Sequence, residues 1–353
     1  MIESAFSTTT FNSLMPESSR SADLMDRSHN PQRVKVLYIA GCGRTGSTLL
    51  GNALGQVEGF THVGELLELW GNLAPERPPC GCQAPIAACK TWKDVLKEAY
   101  GGVNESLIAQ MREFSKSETP GRAFRRTMTS RGLRALQRRV AKPVGELEKL
   151  YLAIQRVFNC EVIVDSSKKP MYLYILQQIG AIDLYVLHLV RDPRPWAHAF
   201  LQRKVREGHV LYMKPLSSSL RWSFRNSLVE AMSGQFQNRH WRLRYEDFVA
   251  NPGGALRDVV NFVGATSSSL PLQDDHTINL KIQHTASGNP NRFLTGMVEL
   301  REDHSWKTEM KSRDRTLVTA LTWPLLVKYG YPIAPRLRAD EVTARKEYKQ
   351  VTS

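Results

Sequence analysis

Gly41-Cys42-Gly43-Arg44-Thr45-Gly46-Ser47-Thr48 sets three glycines within six residues directly behind an apolar, β-branched run, Val34 and Val36–Ile39. Glycines at this density let successive backbone N–H groups turn toward one point. A helix opening near Leu49 and Leu50 adds its own unpaired N–H groups and the positive end of its dipole. The chemistry is anion binding, and the anion it suits is a phosphate or a phosphate-like group. Gly41 and Gly46 keep the separation of the pattern G-x-x-x-x-G-K-[ST], but Ser47 stands where that pattern has lysine. The loop is therefore expected to hold a nucleotide phosphate without hydrolysing ATP or GTP. Arg44 is the cation it supplies, a planar fork suited to two oxygens of one anion.

Two further polar stretches end apolar runs. Val162-Ile163-Val164 leads into Asp165-Ser166-Ser167-Lys168, and Leu184–Val190 leads into Arg191-Asp192-Pro193-Arg194. Trp241–Tyr245 reads as a fourth strand, with a helical run to Val263, and Phe60–Glu65 as a short extended segment ending in Gly-Glu. Helices are expected over 47–58, 91–115, 146–158, 195–206 and 312–328. Strands alternating with helices predict an α/β, P-loop-like three-layer fold, a mostly parallel central sheet flanked by helices. Ligands of such sheets bind beyond the carboxyl ends of the strands, where these polar stretches fall. His284–Phe293 reads as a polar, turn-rich loop flanked by little regular structure, of the kind that closes over a ligand.

Of the 353 residues, 42% are hydrophobic, enough for a full core, and the formal charge of +14 suits anionic ligands. No run of 18 or more apolar residues predicts a membrane span, and the Ser- and Thr-rich start lacks an apolar signal-peptide core. The organisation expected is a leader over 1–33, one domain over 34–333 with a loop and basic helical insertion at 74–150, and a charged tail over 334–353. Residues 116–142 are rich in Lys and Arg and read as a solvated helix face or a mobile insertion. Five cysteines, an odd number, favour a reducing compartment, so the protein is expected in the cytoplasm. Cys80, Cys82 and Cys89 offer three thiols at unusual spacing with no His nearby in the chain, which argues for a local structural or redox-sensitive cluster over a metal site.

Taken in order, Gly41–Leu50, Gly64-Glu65, Asp165–Lys168, Leu189–Arg194, Arg244-Tyr245-Glu246-Asp247 and Ser287-Gly288-Asn289-Pro290 resemble the sulfotransferases that use 3′-phosphoadenosine 5′-phosphosulfate, PAPS. The likeness runs from about 35 to 330, toward the bacterial and tyrosylprotein types, and the Cys80-Gly81-Cys82 element is similar to bacterial members. The resemblance implies that Gly43, Arg44, Thr45, Gly46, Ser47 and Thr48 bind the 5′-phosphosulfate and that Arg191 binds the 3′-phosphate. The serine the family places eight residues after that arginine is Ala199 here, with His198 or Arg203 as possible substitutes. Ser287, Asn289 and Arg292 would lie on the loop covering the nucleotide, and Tyr245 would line the adenosine site.

Sulfuryl transfer needs positioning and charge stabilisation, so Lys168 and Arg44 are the candidate catalytic cations. Glu65 matches the glutamate base of the tyrosylprotein type, and His198, on the helix after Arg191, is the second candidate, with His62 also placed near Glu65. His188 lies within an apolar run and reads as a core residue; Asp165 and Asp192 read as ties to turn N–H groups. The expected ligands are PAPS and its product PAP, with no metal and no nucleic acid. The acceptor is a hydroxyl or amine on a small molecule, carbohydrate, lipid or peptide. Two other readings stand beside this one. One is a P-loop nucleotide or small-molecule kinase, against which the lysine missing after Gly46 counts. The other is a non-catalytic nucleotide-binding protein, for which Ala199 speaks.

Overall fold

A computed structural model describes residues 33–74, 76–102, 104–117, 130–202, 204–206, 209–267 and 269–333. The expected leader up to residue 32, the tail over 334–353, Arg203 and the centre of the basic segment, 118–129, lie outside the described residues.

Five strands form one sheet: β1 (Val34–Gly41), β2 (Phe60–Gly64), β3 (Val162–Lys168), β4 (Ile182–Val190) and, two short strands later, β7 (His240–Arg244). The short ones are β5 (Lys204–Arg206) and β6 (His209–Leu211), an antiparallel pair. The sheet runs in the order β2-β3-β1-β4-β7, every neighbour parallel. Parallel strands covered on both faces must be apolar on both, which is why β1 reads as a continuous run and not an alternation. Its side chains divide by parity: Val34, Val36, Tyr38 and Ala40 join one core cluster, Leu37 and Ile39 the other.

The helices supply the outer layers. α1 (Ser47–Leu54) packs Leu50, Ala53 and Leu54 into the second cluster. α2 (Lys90–Tyr100) and α3 (Glu105–Ser117) stand where one helix was expected, broken at Gly101 with φ 68° and Gly102 with φ 123°. Only glycine takes such angles at little cost, so the pair stops the helix. α4 (Ser130–Phe158) is longer than expected, taking in the described end of the basic segment, and packs Leu150, Tyr151 and Ile154 into the first cluster with α5 (Pro170–Leu176).

α6 (Pro193–Leu201) begins two residues before the expected start because Asp192 caps it, accepting from Arg194 N–H at 2.9 Å. α7 (Pro215–Ser233) follows. The helical run after β7 divides into α8 (Tyr245–Ala250) and α9 (Pro252–Phe262), since Asn251 precedes a proline and is driven out of the helical region. The flanks of the 284–293 loop are regular after all: β8 (Thr277–Leu280) and β9 (Gly296–Glu299) pair antiparallel. α10 (Ser312–Lys328) is the last helix among the described residues and lies close to expectation. By contact the chain divides into two units, one of residues up to Val190 with Arg225–Glu302, the other of Arg191–Phe224 with the residues from Asp303 on. The first unit holds the sheet and both large clusters.

Candidate active site

β1 delivers the glycine loop to the carboxyl edge of the sheet, and the loop's conformation shows why it is glycine-rich. Gly41 has φ 126° and Gly46 has φ 86°. A Cβ at Gly41 would stand 2.5 Å from the Leu189 carbonyl oxygen, and one at Gly46 would stand 2.4 Å from the ring of Tyr245. Gly43 faces open space, with nothing within 4 Å of where its Cβ would be. Arg44 itself takes a left-handed φ of 64°, a cost of order 1–3 kcal/mol found where a site demands it. Thr45 Oγ1 donates to the Cys42 carbonyl at 2.9 Å and locks the turn. Gly46 then caps α1, with Ser47 and Thr48 in the first turn and the first helical bond running from Leu50 N–H to Gly46 O. Tyr245, expected at an adenosine, is mostly buried and packs its ring on Gly46.

Beside the loop, Lys168 pairs in register with Ala40, one residue before the loop begins. Its Nζ lies 2.6 Å from Oε1 of Glu65, which follows the end of β2. The two candidate catalytic residues, 103 positions apart in the chain, therefore form one ion pair. Lys168 has a left-handed φ of 63°, and the turn before it is held by Asp165. That buried carboxylate accepts from Tyr151 OH at 2.6 Å and from Ser167 N–H at 2.8 Å and Oγ at 2.5 Å. Burial pushes the Asp165 carboxyl up to about 6, against the pull of the hydrogen bonds from Ser167 and Tyr151. Asp165 and Asp192 thus both tie turns, as their positions suggested.

His62 is engaged at both ring nitrogens. Its Nδ1 meets Asn52 Oδ1 at 3.1 Å and its Nε2 meets Ser166 Oγ at 3.0 Å. Burial, with the charge of Lys168 adding to it, holds the imidazole down at about 3. It is a neutral strut between α1 and β3. His188 is a core residue, with Nε2 2.9 Å from Asn226 Oδ1.

The segment 284–293 lies against this edge. Ala286 N–H donates to Val63 O at 2.8 Å, and Glu65 N–H donates to Ser287 O at 3.1 Å. Asn289 N–H reaches Thr48 Oγ1 at 3.3 Å, and Asn52 Nδ2 reaches Asn291 O at 3.0 Å. Gly64, with φ 75°, admits this approach, since a Cβ there would stand 2.2 Å from Ser287 O. Arg292, expected at the nucleotide, is buried, donates to the carbonyls of Gly288 and Pro79, and stacks on Phe293. Loop, ion pair and covering segment are thus brought together within the first unit.

Arg191, His198 and Ala199 belong to the second unit. Arg191 directly follows β4, and its carbonyl accepts from Trp222 Nε1 at 3.1 Å. His198 Nε2 lies 3.1 Å from Glu309 Oε2 and 3.1 Å from Gln202 Nε2. Ala199 sits half-buried on α6. Arg194 is fully buried, its guanidinium closed on Asp192 at 2.6 Å and stacked on Trp306.

The cysteine cluster also differs from its reading in the sequence. No His lies near Cys80, Cys82 and Cys89 in the chain, but the fold brings His284 from 195 positions beyond Cys89, its Nδ1 3.3 Å from Cys89 Sγ and 3.8 Å from Cys80 Sγ. The one signal in the sequence was a single His beside the covering segment.

A family model described as the sulfotransferase family matches residues 37–268. A solved sulfotransferase domain from the Synechococcus PCC 7002 olefin synthase is 16% identical, with a TM-score of 0.51 over 87% of this chain and 98% of that one. A sulfotransferase domain from the curacin biosynthetic pathway is 14% identical, with a TM-score of 0.45 over 86% and 99% of the two chains. A sulfotransferase from Alicyclobacillus acidocaldarius is 13% identical, with a TM-score of 0.38 over 84% and 96%. No curated protein matches.

Proposed function

The chain belongs to the sulfotransferase family, and we propose that it moves a sulfuryl group from PAPS to an acceptor hydroxyl or amine. The observation that carries the reading is the Glu65–Lys168 pair at 2.6 Å, beside a loop that faces open space at Gly43. What supports an anion at that loop is the open space at Gly43 beside the start of α1; at Gly41 and Gly46 the Leu189 carbonyl and the Tyr245 ring stand close against the backbone. Bound there, PAPS supplies the activated sulfuryl group and a phosphate leaving group.

The residues divide the work. Gly43–Thr48 holds the 5′ end through backbone N–H groups and the start of α1. Arg44 and Lys168 offset the negative charge that grows on the oxygens, which is the dominant means of catalysis in transfers of this kind. Glu65 takes the proton of the acceptor hydroxyl as its oxygen bonds to sulfur; the sulfur–oxygen bond to the phosphate breaks, and PAP leaves with that electron pair. The pairing with Lys168 keeps the carboxylate aimed. Arg191 holds the 3′-phosphate. Ser287 and Asn289 hold the covering segment through their backbone groups, the first on Glu65 and the second on Thr48, and Arg292 braces that segment from within. His198, engaged with Glu309 and Gln202, stands second to Glu65 as the base. Ala199 removes one hydroxyl donor from the 3′-phosphate end, a loss of about 1.5–3 kcal/mol against a charged acceptor.

Transfer of labelled sulfate from PAPS across a panel of phenols, sugars, lipids and tyrosine peptides tests the reading. Labelled product with at least one acceptor is expected. Tight PAP binding with no product across the panel would favour a non-catalytic nucleotide-binding protein, the alternative that Ala199 supports.

A further inference from the structure

Cys80, Cys82, Cys89 and His284 bring three sulfur atoms and one imidazole nitrogen within 4.8 Å of one another. Cys82 Sγ and Cys89 Sγ are 3.7 Å apart, and His284 Nδ1 lies 3.3 Å from Cys89 Sγ and 3.8 Å from Cys80 Sγ. A disulfide needs about 2.05 Å between sulfurs, and all the cysteines are free thiols. A tetrahedral zinc ion with Zn–S near 2.3 Å and Zn–N near 2.05 Å instead demands S···S of about 3.8 Å and S···N of about 3.6 Å. The two S···N separations bracket the second edge, and the Cys82–Cys89 separation lies close to the first. We propose that these four side chains bind one Zn²⁺ ion in a closed, structural Cys₃His site.

The donor set argues for this metal. Three thiolates and an imidazole are soft ligands that select zinc over magnesium or calcium. Four protein ligands leave no open position, which makes the site structural and not catalytic. The ligands come from two stretches that the fold has already joined. Gly81, between the first two cysteines, donates its N–H to Thr285 O at 3.2 Å, and a Cβ there would stand 2.3 Å from Gln283 O. The turn is completed by Gln83, with φ 69°, whose N–H donates to Cys80 O at 2.8 Å. Cys80 and Cys89 are buried, and Phe158 stands against the His284 ring at 6.5 Å between centroids.

The location gives the ion a task. Beyond His284 the chain runs directly to Ser287, whose carbonyl accepts from Glu65 N–H, and to Asn289, whose N–H reaches Thr48. Arg292 closes the same connection from the other side by donating to Pro79 O, next to Cys80. Zinc would therefore pin the covering segment to the cysteine loop and through it set the approach of residues 287–289 to the glycine loop. The metal site itself stands whether or not the transfer reading holds.

The test uses the full chain, produced with zinc in the medium and kept reduced. Mass-spectrometric metal analysis should find about one zinc per chain, released when a mercurial blocks the thiols. Replacement by Co²⁺ should give the strong visible bands of a tetrahedral site and a thiolate charge-transfer band. Cys82→Ser and His284→Ala should each weaken zinc binding at least tenfold, whereas Cys160→Ser, a buried thiol outside the cluster, should not. If the variants fail to fold, the cobalt spectrum of the unaltered chain decides. Less than a tenth of an equivalent of zinc, with a weak octahedral cobalt spectrum, would overturn the proposal; so would a Cys82–Cys89 disulfide in the reduced preparation. None of these readouts depends on sulfuryl transfer.

Discussion

The 2.6 Å ion pair between Glu65 and Lys168 ties the proposed proton acceptor to the proposed cation. Residues that act as a pair are not additive when removed. Glu65→Gln should lower turnover by about 100- to 10,000-fold, the usual range for a general base, with PAP affinity near normal. Lys168→Met should cost a comparable factor, and the double variant should lose far less than the product of the two. Steady-state rates and PAP titrations check both; strictly multiplicative losses would mean that the two side chains work apart. Asp165 offers a second test at this scale. Folded, it keeps its proton up to about 6, against an ordinary 3.8, so the folded state binds the extra proton between these values. Stability from this group is then greatest at low pH and falls as pH rises through the window, by about 3 kcal/mol in all. Asp165→Asn has no such proton. Urea unfolding from about pH 4 to 7 should show the variant gaining on the wild type by about that amount, and a difference flat with pH would contradict the shift.

The glycine loop shows what an element adds to its residues. Spacing alone marked the strand, the turn and the helix start, because backbone freedom at Gly41 and Gly46 is a local requirement written in the residue type. Spacing was silent on what presses against Gly46, since Tyr245 arrives from 199 positions away. For the same reason spacing put Arg292 on the covering loop without showing that it braces the segment from inside, and His284 stood in that loop with nothing local to mark it as a neighbour of the cysteines. Helix breaks within 91–115 and before Pro252 were locally legible in Gly101-Gly102 and Asn251-Pro252, but periodicity outweighed them. A contrast of two glycines tests the loop. Gly46→Ala adds strain at φ 86° and a collision with the Tyr245 ring, and should cost at least about 1–3 kcal/mol of stability. Gly43→Ala meets nothing in the protein. It should change stability by less than about 0.5 kcal/mol yet weaken PAP binding, because its methyl occupies the open side of the cradle. Thermal melts with PAP titrations separate the two, and unchanged PAP binding in Gly43→Ala would place the anion elsewhere.

For the whole molecule, alternation of strands and helices was enough to predict a parallel sheet in three layers, since strands buried on both faces need continuous apolar runs. The contact division into two units was not legible, because it cuts the chain directly after β4, between Val190 and Arg191, where the sequence runs on without a linker. Among the described residues no helix is long and apolar enough to cross a membrane. The net charge of +14 agrees with an anionic donor but does not identify one. What distinguishes PAPS from other nucleotides is phosphate at both ends, so the proposed function assigns one end to the glycine loop and the other to Arg191, and both assignments are open to test. Calorimetric titration of the full chain with PAP, its analogue lacking the 3′-phosphate, and ATP tests this most directly. PAP should bind at least tenfold more tightly than either. Arg191→Ala should erase most of that preference, a loss of about 1.5–3 kcal/mol for one charged contact. ATP binding as tightly as PAP, or Arg191→Ala weakening PAP and the analogue equally, would contradict the account.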